Sequence, residues 1–165
     1  SQNGEPISLE KLGYEQTDLV CSSFNNSFCI YNKQSNELVR FNENSQQIAK
    51  TGNLKQLLQA ELKPDFMIEY NSYLYLNCKD IGIYVFDMYG TFTKIISLKN
   101  LHSFQVNEDI IYFFRENSFN SYNCKAFEEK SIPYNDTLLK NVRIEKDRLF
   151  LQYIDSVKVV ENLTR

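Results

Sequence analysis

Short apolar and aromatic runs alternate along this chain with clusters of Asn, Asp, Ser and Gly, and the alternation repeats. Laying LVCSSFNNSFCIYNK, DFMIEYNSYLYLNCK, SFQVNEDIIYFFREN and NVRIEKDRLFLQYID under one another gives starts at 19, 65, 103 and 141, spaced by 46, 38 and 38 residues. Val20, Phe66, Phe104 and Val142 share one apolar column, and Ser23, Glu69, Asn107 and Glu145 share a polar one three places on. After a turn, Phe28, Leu74, Tyr112 and Phe150 align, and a further segment aligns Leu38, Ile83, Phe119 and Val157. Runs this short, rich in β-branched and aromatic residues and bounded by turn formers, are strands of antiparallel meanders.

The second strand of each unit decides between architectures. SYLYL, IIYFF and RLFL are nearly continuous in apolar character, which predicts burial on both faces. A two-sheet sandwich leaves one face of each sheet in water, whereas stacked propeller blades cover both faces of their inner strands. The fold class is therefore all-β, a β-propeller of four-stranded antiparallel blades. The repeats run over about 19–52, 65–100, 103–136 and 141–165.

The stretch GIYVFDMYGTFTKIISL resembles the third and fourth strands of a propeller blade, with Asp87-x-x-Gly90 at the hairpin between them. Over most of the chain, FCIYNKQSNELVRFN, NSYLYLNC, GIYVFDMYGTFTKI and DSVKVV resemble uncharacterised exported propeller-like proteins of the Bacteroidota. That resemblance implies a periplasmic or envelope-associated protein. Such proteins carry O-glycans at Asp followed by Ser or Thr and an apolar residue, which matches Asp136-Thr137-Leu138 and Asp155-Ser156-Val157. N-glycosylation triplets begin at Asn25, Asn135 and Asn162 and matter only for a eukaryotic source.

Aligning SQNGEPISLEKL with DMYGTFTKIISL sets Gly4 on Gly90, so residues 5–12 are expected to form the outer strand of a blade. The fourth unit ends after its third strand, and the N-terminal strand would complete it. The alternative is that the chain is the C-terminal part of a larger propeller. One insertion breaks the repeat: NLKQLLQAELKP is expected to form a two-turn helix over 53–62, with Asn53 as N-cap and Leu54, Leu57 and Leu58 docked on one face. Its outward residues Lys55, Gln56, Gln59 and Glu61 are candidate partner-binding residues, because repeat insertions map to loops on one face. Tyr89, at a hairpin tip in a Tyr-rich unit, is a further candidate.

Net charge is −3 with both signs scattered, which disfavours nucleic acid as a partner. No apolar run approaches the roughly 18–20 residues of a membrane span. Cys21, Cys29, Cys78 and Cys124 lack metal-site spacing and read as small buried hydrophobes. Cys21 and Cys29 alone are placed to pair across a hairpin. A two-residue turn at Asn25-Asn26 sets their thiols on opposite faces, and a three-residue loop sets them face to face.

Catalytic signals are thin. His102 has no carboxylate or serine beside it in sequence, and no phosphate-loop, dinucleotide, zinc-protease or calcium-loop pattern occurs. The expectation is a non-enzymatic scaffold or subunit with another protein, such as a periplasmic or outer-membrane complex, as partner, and with no cofactor. The competing class is a small-ligand-binding or hydrolytic propeller whose polar channel would use Glu69, Gln105, Arg143 and Glu145.

Overall fold

The computed structural model describes residues 6–134, 136, 138–145 and 148–161. Its strands form four antiparallel meanders, each in sequence order, and each is one blade of a β-propeller. The first contains β1 (Thr17–Ser22), β2 (Phe28–Asn32), β3 (Glu37–Phe41) and β4 (Gln47–Lys50). The second contains β5 (Phe66–Tyr70), β6 (Tyr73–Cys78), β7 (Gly82–Phe86) and β8 (Phe92–Ile96). The third contains β9 (Phe104–Asn107), β10 (Ile110–Arg115), β11 (Ser118–Asn123) and β12 (Glu128–Pro133). Three strands, β13 (Asn141–Glu145), β14 (Arg148–Gln152) and β15 (Val157–Glu161), make the fourth sheet among the described residues. The chain divides into two compact units, Ser1–Lys99 with the first two sheets and Asn100–Arg165 with the other two.

In the first unit the continuous apolar strands are buried on both faces. Side chains alternate across a strand, so Cys29 and Tyr31 of β2 join Leu74, Leu76 and Phe86 of the second sheet in one core. Ile30 points the other way and packs with Val39 and Phe41. That outer face is covered by Leu9, Leu12 and Tyr14, the Tyr14 ring standing edge-on to Phe41 at 5.4 Å.

This packing corrects the expectation of a strand over 5–12. Residues 10–12 form a short 3-10 helix ended by Gly13 at φ +85, and no strand occurs among described residues 6–12. Leu9 and Leu12 are brought to one side by the 3-10 turn, where they cap the first sheet; an extended segment spaced by three would send them to opposite faces. Ser1 and Gly4 of the aligned turn lie outside the described residues.

The insertion is shorter and more deeply anchored than the leucine spacing predicts. Helix α1 (Leu54–Leu58) is capped by Asn53, whose side chain accepts from the Gln56 amide at 3.1 Å, and it stops at Gln59 in the left-handed region. Leu54 is fully buried and Leu58 packs on the same core, but Leu57 is 56% exposed instead of docked. Five helical residues put only the i, i+4 pair on the core-facing side, and Leu62 fills the next buried place. The Leu54 amide donates to the Asn36 carbonyl at 2.7 Å, and Asn53 Nδ2 donates to the Ser35 carbonyl at 2.8 Å. The helix is thereby fixed to the β2–β3 turn.

The second unit is less enclosed: β12 is exposed throughout and only Leu151 of β14 is buried. Its strands gain from cross-strand pairs, such as Tyr112 stacked on Phe119 at 6.0 Å and Arg115 paired with Glu129 at 2.7 Å.

The anchoring of α1 gives a direct test. Leu54→Ala should cost about 2–5 kcal/mol in denaturant unfolding. Leu57→Ala should stay within about 0.5 kcal/mol of the parent, as surface changes do.

Candidate functional site

A buried polar cluster joins the first two sheets. Arg40 on β3 and Glu69 on β5 form an ion pair at 2.7 Å, with side chains 7% and 3% exposed. Ser23, just past β1, accepts from Arg40 Nη1 and donates to Glu69 Oε1 at 2.8 Å. Cys29 Sγ donates to Glu69 Oε2 at 3.7 Å. Burial works to lower the Arg40 pKa, but the hydrogen bond with Glu69 and the nearby acidic groups outweigh it and hold the guanidinium above its usual value. The guanidinium is therefore charged at any physiological pH.

This cluster joins the ends of β1 and β5 in the first unit. In each meander the first and third turns share an end, and the Ser23–Glu69 contact brings the ends of β1 and β5 together. At the β1–β2 turn the Ser23 amide bonds the Ser27 carbonyl at 2.8 Å around Phe24, Asn25 and Asn26, the two asparagines lying at φ +54 and +55. This is the three-residue alternative, and it makes Cys21 and Cys29 direct partners. The β5–β6 turn is a two-residue one through Asn71 and Ser72, at φ +50 and +65, as a type I′ hairpin requires.

The β3–β4 and β7–β8 turns share one construction. Asn42 Oδ1 accepts from the amides of Asn44 and Gln46, and Asp87 Oδ1 accepts from those of Tyr89 and Thr91 at 2.9 and 2.8 Å. Gly90 is needed twice over: its φ is +86, and a Cβ there would lie 2.7 Å from Thr51 Cγ2.

These tips present aromatic rings to solvent. Tyr89 is 72% exposed, Tyr73 43% and Phe24 40%. The other face of the Phe24 ring holds the Arg40 guanidinium at 5.5 Å. Around them stand Asn25, Asn26, Asn42, Asn44, Asn71 and Ser72, a mixture of Tyr, Asn and Ser on a rigid frame that also characterises antibody paratopes.

Of the residues predicted from sequence, Tyr89 lies on this surface. Lys55, Gln56, Gln59 and Glu61 are exposed, with Lys55 and Glu61 paired at 3.1 Å, on a helix fixed to the β2–β3 turn. Glu69 is held by Arg40 and Ser23. Gln105 is held by the Ile144 backbone: its Nε2 donates to the carbonyl at 3.2 Å and its Oε1 accepts from the amide. It thus acts as a clip between β9 and β13. Arg143 lines a groove of about 470 Å³ on the fourth sheet with Asn141, Phe150, Gln152 and Val157. Glu145 ends β13, and its side chain lies outside the described residues. His102 is exposed in a bend. Among the described residues no group of His, Cys, Asp or Glu is placed to hold a metal ion, and no helix is long and apolar enough to cross a membrane. Asp155 and Ser156 are exposed in the β14–β15 turn; Thr137, Asn135 and Asn162 lie outside the described residues.

Sequence reasoning missed Arg40, Phe24 and Tyr73. The signal for Arg40 was a lone charge inside ELVRF, a run otherwise apolar after its first residue, since a buried charge demands a partner.

No family model matches the sequence, and no curated protein matches it. Solved structures do match in fold. PorZ, a bacterial surface component of the type-IX secretion system of Porphyromonas gingivalis, superposes with a TM-score of 0.61 at 14% identity, over 92% of this chain and 22% of its own. Hsv2 of Kluyveromyces lactis gives 0.60 at 10% identity over 89% and 48%, and the WD40 domain of Neurospora crassa Pan2 gives 0.54 at 8% over 90% and 54%. The chain thus spans about a fifth of the PorZ chain and about half of each of the other two. At these identities the likeness establishes the β-propeller fold.

The Gln105 clip predicts a localised loss. Gln105→Ala strips two hydrogen bonds from the Ile144 backbone and should cost about 1–3 kcal/mol. Hydrogen exchange followed by mass spectrometry should show faster exchange concentrated in the 141–145 peptide.

Proposed function

We propose that this chain is a non-enzymatic protein-interaction module, a scaffold or subunit of a bacterial cell-envelope complex, that binds another protein through the exposed aromatic hairpin tips of its first two blades. The observation that carries the reading is Tyr89, held open at a tip that Asp87 and Gly90 fix in place. A large ring ordered without being buried loses little entropy on binding and offers much contact area. Phe24 and Tyr73 supply further exposed rings at the β1–β2 and β5–β6 tips, and the asparagines supply adaptable hydrogen bonds. The envelope assignment draws support from the Bacteroidota-like sequence stretches and from the fold shared with PorZ.

The hairpin tips are favoured over α1 as the docking element because Leu54 and Leu58 of α1 serve the core and its exposed charges neutralise one another. Capture from the native envelope with three baits separates the two. Tyr89→Ala with Tyr73→Ala should leave the circular dichroism spectrum unchanged and reduce recovery of the specific partner by tenfold or more, about the cost of one aromatic hot spot. Lys55→Glu with Glu61→Lys keeps the ion pair in reversed sense and should recover the partner at the parent level. Equal recovery with the tyrosine variant, and loss with the charge reversal, would move the site to α1.

A further inference from the structure

β1 and β2 bring two thiols face to face. Cys21 and Cys29 are direct cross-strand partners, both free and both buried at 9% and 3% exposure. Directly opposed residues of an antiparallel pair have Cα atoms about 4.5–5.5 Å apart, inside the roughly 4.4–6.8 Å that a disulfide spans. The register is fixed by the three-residue loop closed between Ser23 and Ser27. Cys78 has no such counterpart, its partner across β6 and β7 being Gly82.

We propose that Cys21 and Cys29 form an oxidation site that closes to an intramolecular disulfide during folding, by exchange with a small-molecule disulfide such as oxidised glutathione. The Cys21 thiolate attacks one sulfur of the oxidant, giving a mixed disulfide and one released thiolate. The Cys29 thiolate then attacks the Cys21 sulfur, forming the Cys21–Cys29 bond and expelling the second thiolate. Two protein thiols are oxidised, one small disulfide is reduced to two thiols, and the two protein protons pass to those thiols.

The step belongs to folding because the closed structure resists it. The hydrogen bond between the two thiols, with burial, pushes the Cys29 pKa well above its usual value, so the Cys29 thiolate that closes the bond is scarce once the hairpin has packed. Oxidation costs the cluster only the weak Cys29 donor, because Glu69 keeps Arg40 and Ser23. The bond would cross-link the base of the hairpin that carries Phe24 and hold that tip for binding. The site stands on the strand register and is independent of the partner proposed above.

The test refolds the full chain from denaturant in an oxidising glutathione buffer, quenches with iodoacetamide and maps the peptides by mass. The expected product is one peptide pair joined through Cys21 and Cys29, lighter by two hydrogens, with Cys78 and Cys124 alkylated. Its melting temperature should exceed that of the reduced chain by several degrees. Oxidised glutathione added to the folded, reduced chain should close the bond at least about tenfold more slowly. Alkylation of both Cys21 and Cys29 after refolding, or their linkage to Cys78 or Cys124, would overturn the proposal. Closure equally fast in the folded chain would overturn its assignment to folding.

Discussion

The first unit depends on a charge that cannot be left alone. The Arg40 guanidinium sits on β3 between two sheets with almost no access to water, and removing such a group from solvent costs several kcal/mol unless a well-placed anion and further hydrogen bonds answer it. Glu69 supplies the anion from β5 of the next sheet, Ser23 bridges the two from the end of β1, and Cys29 occupies the remaining approach. Apolar packing between sheets tolerates small slips, because it is non-directional. The ion pair does not. It sets the height of one blade against the next, so the ends of β1 and β5 meet.

What is legible in the sequence is whatever depends on local pattern. The four-unit repeat places the fifteen strands of the described residues, because short apolar runs and turn residues are properties of neighbours in the chain. Asn53 is readable as a cap, and Asp87-x-x-Gly90 as a turn, because a short polar side chain beside a left-handed residue is a local device. Readings that needed tertiary packing went differently. Leu57 has helical spacing but no core opposite it, and residues 10–12 curl because the outer face of the first sheet needs Leu9 and Leu12 on one side. The partner of Arg40 lies in another sheet, a separation that no local pattern encodes.

The same division explains why the polar inner-strand column was read as a candidate channel lining. The repeat alignment rightly brought Ser23 and Glu69 into one column, but columns record position within a blade, not contact between blades. In the structure, Ser23 and Glu69 spend their polarity on each other and on Arg40, and Gln105 spends its amide on a neighbouring strand. Ser23, Glu69 and Gln105 thus serve as directional joints between apolar layers. The exposed Tyr89 and Tyr73 tips of the first unit are the surface proposed for recognition. Function in a repeat fold resides in such grafted tips more than in the scaffold.

A double-mutant cycle on Arg40→Met and Glu69→Leu, read by denaturant unfolding, tests the central role of the buried joint most directly. Each single change should cost about 3–5 kcal/mol by leaving an unanswered buried charge, and the double variant should cost far less than the sum. Additive changes, each below about 1 kcal/mol as for an exposed pair, would contradict it.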